Sequence, residues 1–218
     1  DIRGMNDTTV LDPPLDHETA ILSDELLTRF RSRAAAHDAS GAYPHHDTER
    51  LWAWMLGQLR ELSALSDIRA IVPVTHGATA ALIDDAGLVL PVLDYEHLPG
   101  DATDAARYES LRPSFIETGS PQLPAGLNLG RQLEWLQSRF PAEFARTRHV
   151  LMYPQYWAWR LCGVAASEVT SLGCHTDLWR PAEGVWSSLV EGQGWQGLFP
   201  PRRDAWARLG QLRPELVA

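Results

Sequence analysis

The stretch IRAIVPVTHGATAALIDDAGLVLPVLDYE, residues 68–96, decides the reading of the fold. Ile68, Ala70, Ile71, Val72 and Val74 form an apolar run that reads as a buried strand. Thr75-His76-Gly77-Ala78-Thr79 interrupts it with small and polar residues, and Ala80-Ala81-Leu82-Ile83 resumes it. Asp84-Asp85-Ala86-Gly87 reads as a hairpin turn, with Gly87 free to take positive φ. Residues 88–93 are the return strand, which ends in Asp94-Tyr95-Glu96-His97. Two polar clusters therefore fall at the ends of apolar strands, where binding sites are commonly built.

Outward from this stretch, residues 47–65 predict a helix capped by Asp47 or Thr48. Leu51, Trp54, Met55, Leu59 and Leu62 recur at the helical period, and Glu49, Arg50, Arg60 and Glu61 take the wet face. A helix, a short turn and a buried strand in that order predict an α/β fold. Further helices are expected over 104–111, over 128–140 (with Leu129, Leu133, Trp135 and Leu136 apolar) and over 142–147 behind Pro141. His149-Val150-Leu151-Met152 reads as a short strand. Pro154 opens a helix over 155–161 that Gly163 closes. Short helices are expected at 186–191 and around Trp206. Residues 112–125 read as an irregular loop of the length that often covers a site. Toward the amino terminus, Thr8 to Leu11 reads as a short strand and residues 26–36 as a helix.

The chain has 218 residues and a net charge of -9, with no basic run, so a nucleic-acid partner is not expected. It contains no lysine: every basic side chain is arginine, which excludes a Schiff-base lysine or a Walker-type phosphate lysine within it. Cys162 and Cys174 lack zinc-site spacing and read as small buried thiols in a reducing compartment. No signal peptide or membrane-spanning run is visible, so a cytoplasmic location and no membrane partner are expected.

Several polar groups are candidates for chemistry. His45-His46-Asp47 reads as a loop and helix cap rather than a metal cluster, because adjacent histidines point to different sides of the backbone. His76 beside Gly77 is either a ligand-facing imidazole or a histidine satisfied at a strand bend. Gly77 and Ala78 would let a ligand approach the backbone. Asp94, Tyr95 and Glu96 offer carboxylates for hydroxyl groups and a ring for the apolar face of a sugar, or else form a solvated turn. Glu168, Thr170, Ser171, His175 and Thr176 place a serine near a histidine, but no GxSxG elbow accompanies them.

With these segments in place, the chain resembles the amino-terminal half of FGGY-family carbohydrate kinases. YPHHDTERLWAWM and THGATAALIDDAGLVLPVLDYE are followed by GLNLGRQLEWLQSRFPAEF, MYPQYWAWRLCG, EVTSLGCHTDLWRPAEGVWSSL and FPPRRDAWARLGQLRPEL, in the family's order. The resemblance implies a ribonuclease H-like α/β domain of the sugar kinase, actin and heat-shock ATPase superfamily, with a mixed central sheet flanked by helices. It implies transfer of the ATP γ-phosphoryl group to a sugar hydroxyl, with Mg²⁺, in the complete enzyme. His76, Gly77, Ala78, Tyr95, Glu96, Asn128, His175 and Thr176 match substrate-contacting positions, and Asp1 and Asn6 match the nucleotide-phosphate loop. Arg3 and Gln132 depart from the family's glycine and lysine. Residues 1–45 are expected to form a degenerate phosphate-loop region, 46–198 the sugar-binding domain and 199–218 a connector toward an ATP-binding domain. The catalytic base is expected beyond Ala218, so no catalytic residue is assigned. The chain alone is expected to be inactive and to hold neither ATP nor Mg²⁺ tightly. Self-association through an exposed docking face is expected, and a degenerate domain that binds a sugar or a partner is the alternative.

Overall fold

The computed structural model describes residues 37–38, 41–96 and 100–217, and the residues from His37 on form one compact unit. The helix expected at 26–36, the strand at 8–11, and Asp1 and Asn6 lie outside the described residues.

The centre of the unit is a three-stranded sheet in the order β4-β3-β6, with β3 at Ala80–Asp84, β4 at Gly87–Leu88 and β6 at His149–Met152. The turn between β3 and β4 is the hairpin read from the sequence: Asp84 pairs with Gly87, Gly87 has φ +129°, and Ala86 N donates to Asp84 Oδ1 at 2.8 Å. Side chains alternate across a strand, so β3 and β6 divide their residues between two cores. Ala80, Leu82, Val150 and Met152 join the larger core, and Ala81, Ile83 and Leu151 join the smaller one. A helix layer seals each side, as an α/β sheet with two apolar faces requires.

Over the larger core lies α4, at Leu129–Arg139, which buries Leu129, Leu133 and Leu136. The helices α2 (Ala102–Leu111), α3 (Phe115–Thr118) and α5 (Pro141–Phe144) complete this side. Asp101 and Asp104 form a reciprocal capping box at the start of α2. Over the smaller core lie α1, at Thr48–Ser63, and α6, at Tyr153–Cys162. Asp47 caps α1 by accepting from Arg50 N at 3.0 Å, and Gly163, at φ +80°, ends α6. Tyr153, Tyr156 and Trp157 of α6 are buried, and Leu51, Trp52 and Met55 of α1 pack against them. A second small sheet joins β1 (His37–Asp38), β2 (His45–His46) and β5 (Val92–Leu93). Further along are α7 (Val169–Leu172), the hairpin of β7 (Trp179–Arg180) with β8 (Val185–Trp186), and α8 (Ser188–Gln193).

Several expectations are corrected. Residues 68–74 are not a buried strand: they carry no regular secondary structure, and Val72 and Val74 are 75% and 85% exposed. Strand propensity reports fit to a pleated, half-buried surface, and this run makes no ladder with any described strand. The pairings of the named strands are all antiparallel, so the mixed sheet is not seen among the described residues. Trp186 begins no helix. It pairs across the hairpin with Trp179, ring edge to face at 5.1 Å, and α8 starts behind the Ser187 cap. Trp206 lies in a turn and is 86% exposed. Cys174 is exposed and Cys162 only half-buried, because neither lies on a core-facing stripe.

Candidate functional site

Four loops meet beside the start of β3. The first, residues 75–79, leads into that strand. Thr79 is fully buried, its carbonyl accepts from Tyr153 N at 3.0 Å, and its hydroxyl lies 3.2 Å from His76 Nδ1. This anchors an exposed His76 at the rim, with its ring 4.7 Å from that of Tyr95 and 5.3 Å from that of Tyr153. The second loop follows β5. Asp94 is buried and turns its Oδ1 to the Glu96 amide at 3.0 Å, which leaves the Glu96 side chain exposed.

The third loop precedes α4, and its Gly126 donates to the Tyr95 carbonyl at 2.9 Å. A Cβ on Gly126 would lie 3.0 Å from that same oxygen, so the close approach depends on glycine. The fourth loop, residues 173–177, touches the first: a Cβ on Gly77 would lie 3.3 Å from Cys174 Sγ and 3.7 Å from His175 Cε1. Cys174 Sγ lies 2.8 Å from His175 Nδ1, and His175 Nε2 is buried without a hydrogen-bond partner.

The structure thus brings together His76, Gly77, Ala78, Tyr95, Glu96 and His175. Asn128 and Thr176 are nearby in a different role. Asn128 is 2% exposed, donates to the carbonyls of Pro121 and His175, both at 3.0 Å, and accepts from Leu123 N at 2.8 Å. The Thr176 hydroxyl donates to the Leu172 carbonyl and accepts from Leu178 N. Both side chains are spent on holding loops. Thr170 and Ser171 bond Glu168 at the start of α7, so that cluster is a helix cap and no nucleophile–base pair.

The fourth loop is also fixed from below. Asp177, at φ +63° and 0% exposed, takes the Tyr108 hydroxyl at 2.6 Å and the Arg112 guanidinium at 3.0 and 3.3 Å. Burial pushes the Asp177 carboxyl above the usual carboxylate range, while Tyr108 and Arg112 pull it back. The Tyr108 hydroxyl is raised by burial and by the Asp177 charge.

Sequence reasoning did not assign Gln132 to the site, although it closes the structure of the loops. Its amide nitrogen donates to the Ala78 carbonyl at 2.7 Å and also to the Gly126 carbonyl. The signal was present: a lone amide among Leu129, Leu133 and Leu136 on the apolar stripe of α4.

Among the described residues, no group of three or more His, Cys, Asp or Glu side chains could hold a metal ion, and no helix is long and apolar enough to cross a membrane. His45 and His46 lie in β2 and build no such group. What the loops offer is an aromatic rim and an exposed carboxylate, which suits a small polyhydroxy ligand.

No family model and no curated protein matches the chain. Solved structures do. A carbohydrate kinase from Novosphingobium aromaticivorans is 42% identical, with a TM-score of 0.75 over 80% of this chain and 37% of that one. Xylulose kinases from Lactobacillus acidophilus and Rhodospirillum rubrum share the fold at 14% and 18% identity, with TM-scores of 0.65 and 0.61. They cover 80% and 83% of this chain, and 36% and 39% of their own length. The chain therefore spans little more than a third of the kinases it matches. The resemblance read from the sequence holds: the chain is a relative of the carbohydrate kinases and shares the fold of part of them.

Proposed function

We propose that this chain is the sugar-binding domain of an FGGY-type carbohydrate kinase with the ribonuclease H-like architecture. In the complete enzyme it would hold a sugar while ATP and Mg²⁺, bound mainly by a second domain, supply the phosphoryl group. The observation that carries this reading is the convergence of residues 75–79, 94–96 and 173–177 beside β3, in a chain 42% identical to a carbohydrate kinase. His76 and Tyr95 would cover the apolar face of the sugar, and Glu96 would accept its hydroxyls. Gly77 and Ala78 would form the wall beneath it, with Gly77 against Cys174 and the Ala78 carbonyl held by Gln132.

The division of labour gives the test. The purified chain is expected to bind a neutral ketose such as D-xylulose, measured by calorimetry, and to lose that binding in His76→Ala. It is expected to show no ATP-dependent sugar phosphorylation alone, because this reading assigns ATP and the catalytic base to a second domain. Absence of sugar binding would overturn the sugar-site reading. Turnover by the chain alone would overturn the assignment of phosphoryl transfer to a second domain.

A further inference from the structure

The fourth loop carries Cys174, His175 and Thr176, and two of these side chains are closed to a ligand. Thr176 is buried, and its hydroxyl donates to the Leu172 carbonyl and accepts from the Leu178 amide. His175 is closed at both nitrogens: Nδ1 lies 2.8 Å from Cys174 Sγ, and Nε2 is sealed from solvent. Cys174 is the exposed member of the three. Its sulfur is also where the fourth loop meets the first, since it is the atom that a Cβ on Gly77 would meet first, at 3.3 Å. Gly77 follows His76, whose ring stands 4.7 Å from that of Tyr95. Adjacent Cα atoms are about 3.8 Å apart, so the thiol sits one residue away from the aromatic rim.

Resting on the sugar-site reading, we infer that Cys174, and neither His175 nor Thr176, is the side chain by which the fourth loop contacts the sugar, so that a group attached to its sulfur stands where the sugar binds. The chemistry of the contact follows from the sulfur. A thiol is a weak donor and a weak acceptor, and it packs as a small polarisable apolar group. It therefore lies against carbon-bound hydrogens of the sugar, while Glu96 takes hydroxyls. Cys162 supplies the contrast. It is the other cysteine of the chain, half-buried at the end of α6, with Gly210 laid against it. The α6 helix begins at Tyr153, beside His76, and reaches Cys162 about 14 Å further along its axis.

The two thiols make the test internal to the wild-type chain. Iodoacetamide joins its methylene carbon to the sulfur; the carbon–iodine bond breaks, iodide leaves with its electron pair, and the thiol proton passes to the buffer. Modification of each cysteine in the native chain is followed by peptide mass spectrometry with and without D-xylulose. At about ten times its Kd, D-xylulose is expected to slow modification of Cys174 by about tenfold, because about one site in eleven stays open, and to leave the rate at Cys162 unchanged. Prior modification is expected to weaken D-xylulose binding by about tenfold or more in calorimetry, and to do the same in Cys162→Ser, where Cys174 is the thiol that remains. Equal Cys174 rates with and without D-xylulose, in a chain that calorimetry shows to bind it, would overturn the inference and leave the sugar site intact. Unchanged affinity after full modification of Cys174 would do the same, as would equal protection of both cysteines, which reports a general tightening of the fold. Failure of the wild-type chain to bind any sugar would remove the sugar site and this inference with it.

Discussion

Glu96 and Asn128 show how two polar residues at one site do different work. The Glu96 side chain is exposed and its backbone is set by Asp94, so its carboxylate is available to a ligand. Glu96→Ala is expected to weaken sugar affinity by roughly 1–3 kcal/mol with little change in unfolding. Asn128→Ala should do the reverse. It strands the Leu123 amide and the Pro121 and His175 carbonyls, and should lower stability by about 1–3 kcal/mol in urea unfolding. Equal losses of affinity and stability in both variants would refute this division. The sequence marks both residues as polar groups at element ends. It does not reveal that both amide N–H donors of Asn128 are taken, because the Pro121, Leu123 and His175 backbone groups reach it only through folding. Gln132 is the opposite case: an amide on an apolar stripe is visible in the sequence, but the two carbonyls that explain it come from loops before Ala80 and before α4.

The elements around the site are held by buried charge and by caps. Arg112, just past α2, pairs with Asp177, and their side chains are 11% and 0% exposed. Arg112 also donates to the Ser120 carbonyl at 2.7 Å, so one guanidinium joins the loop before α4 to the loop that carries His175. Arg112→Ala leaves a buried carboxylate without its counter-charge and is expected to cost about 3–5 kcal/mol. The double change Arg112→Met with Asp177→Asn should cost less, because no lone charge remains. Urea midpoints of the two variants check the order. Glu168 at the start of α7 behaves differently with pH. Burial alone would raise its carboxyl, but the hydroxyls and amides of Thr170 and Ser171 override that and hold it below the ordinary glutamate value of 4.5. A depressed native pKa adds stability that is present above the unfolded value and is lost as pH falls through the native one. Unfolding measured from about pH 7 to about pH 3 should therefore show a shallower acid decline in Glu168→Gln than in the wild type. Equal slopes would remove Glu168 from the acid response. The polar run from Glu168 is plain in the sequence, but a helix as short as α7 leaves no periodicity from which to read it.

At the scale of the molecule, the helices with a full apolar stripe and the strands at β3 and β6 are legible, since period and alternation are local properties. Pairing is not local, and residues 68–74 show the consequence. Their apolar composition predicts a central strand, whereas Val72 and Val74 stand in solvent and Ile71 and Pro73 are only half-buried. Alternating exposure along an apolar run without a described partner strand resembles an open sheet edge, the feature through which copies of a chain pair with one another. The run carries Arg69 at its start but no charge between Ala70 and Thr75, so Pro73, which cannot donate to a ladder, is the one residue within it that opposes such pairing. The chain is accordingly expected to self-associate with rising concentration in sedimentation velocity. Val72→Lys with Val74→Glu should suppress that association. Both side chains already face solvent, so the thermal midpoint should hardly move, as surface changes cost about 0.5 kcal/mol or less. Association that persists in this double variant would place the contact elsewhere, with the exposed Trp206 as the next residue to change.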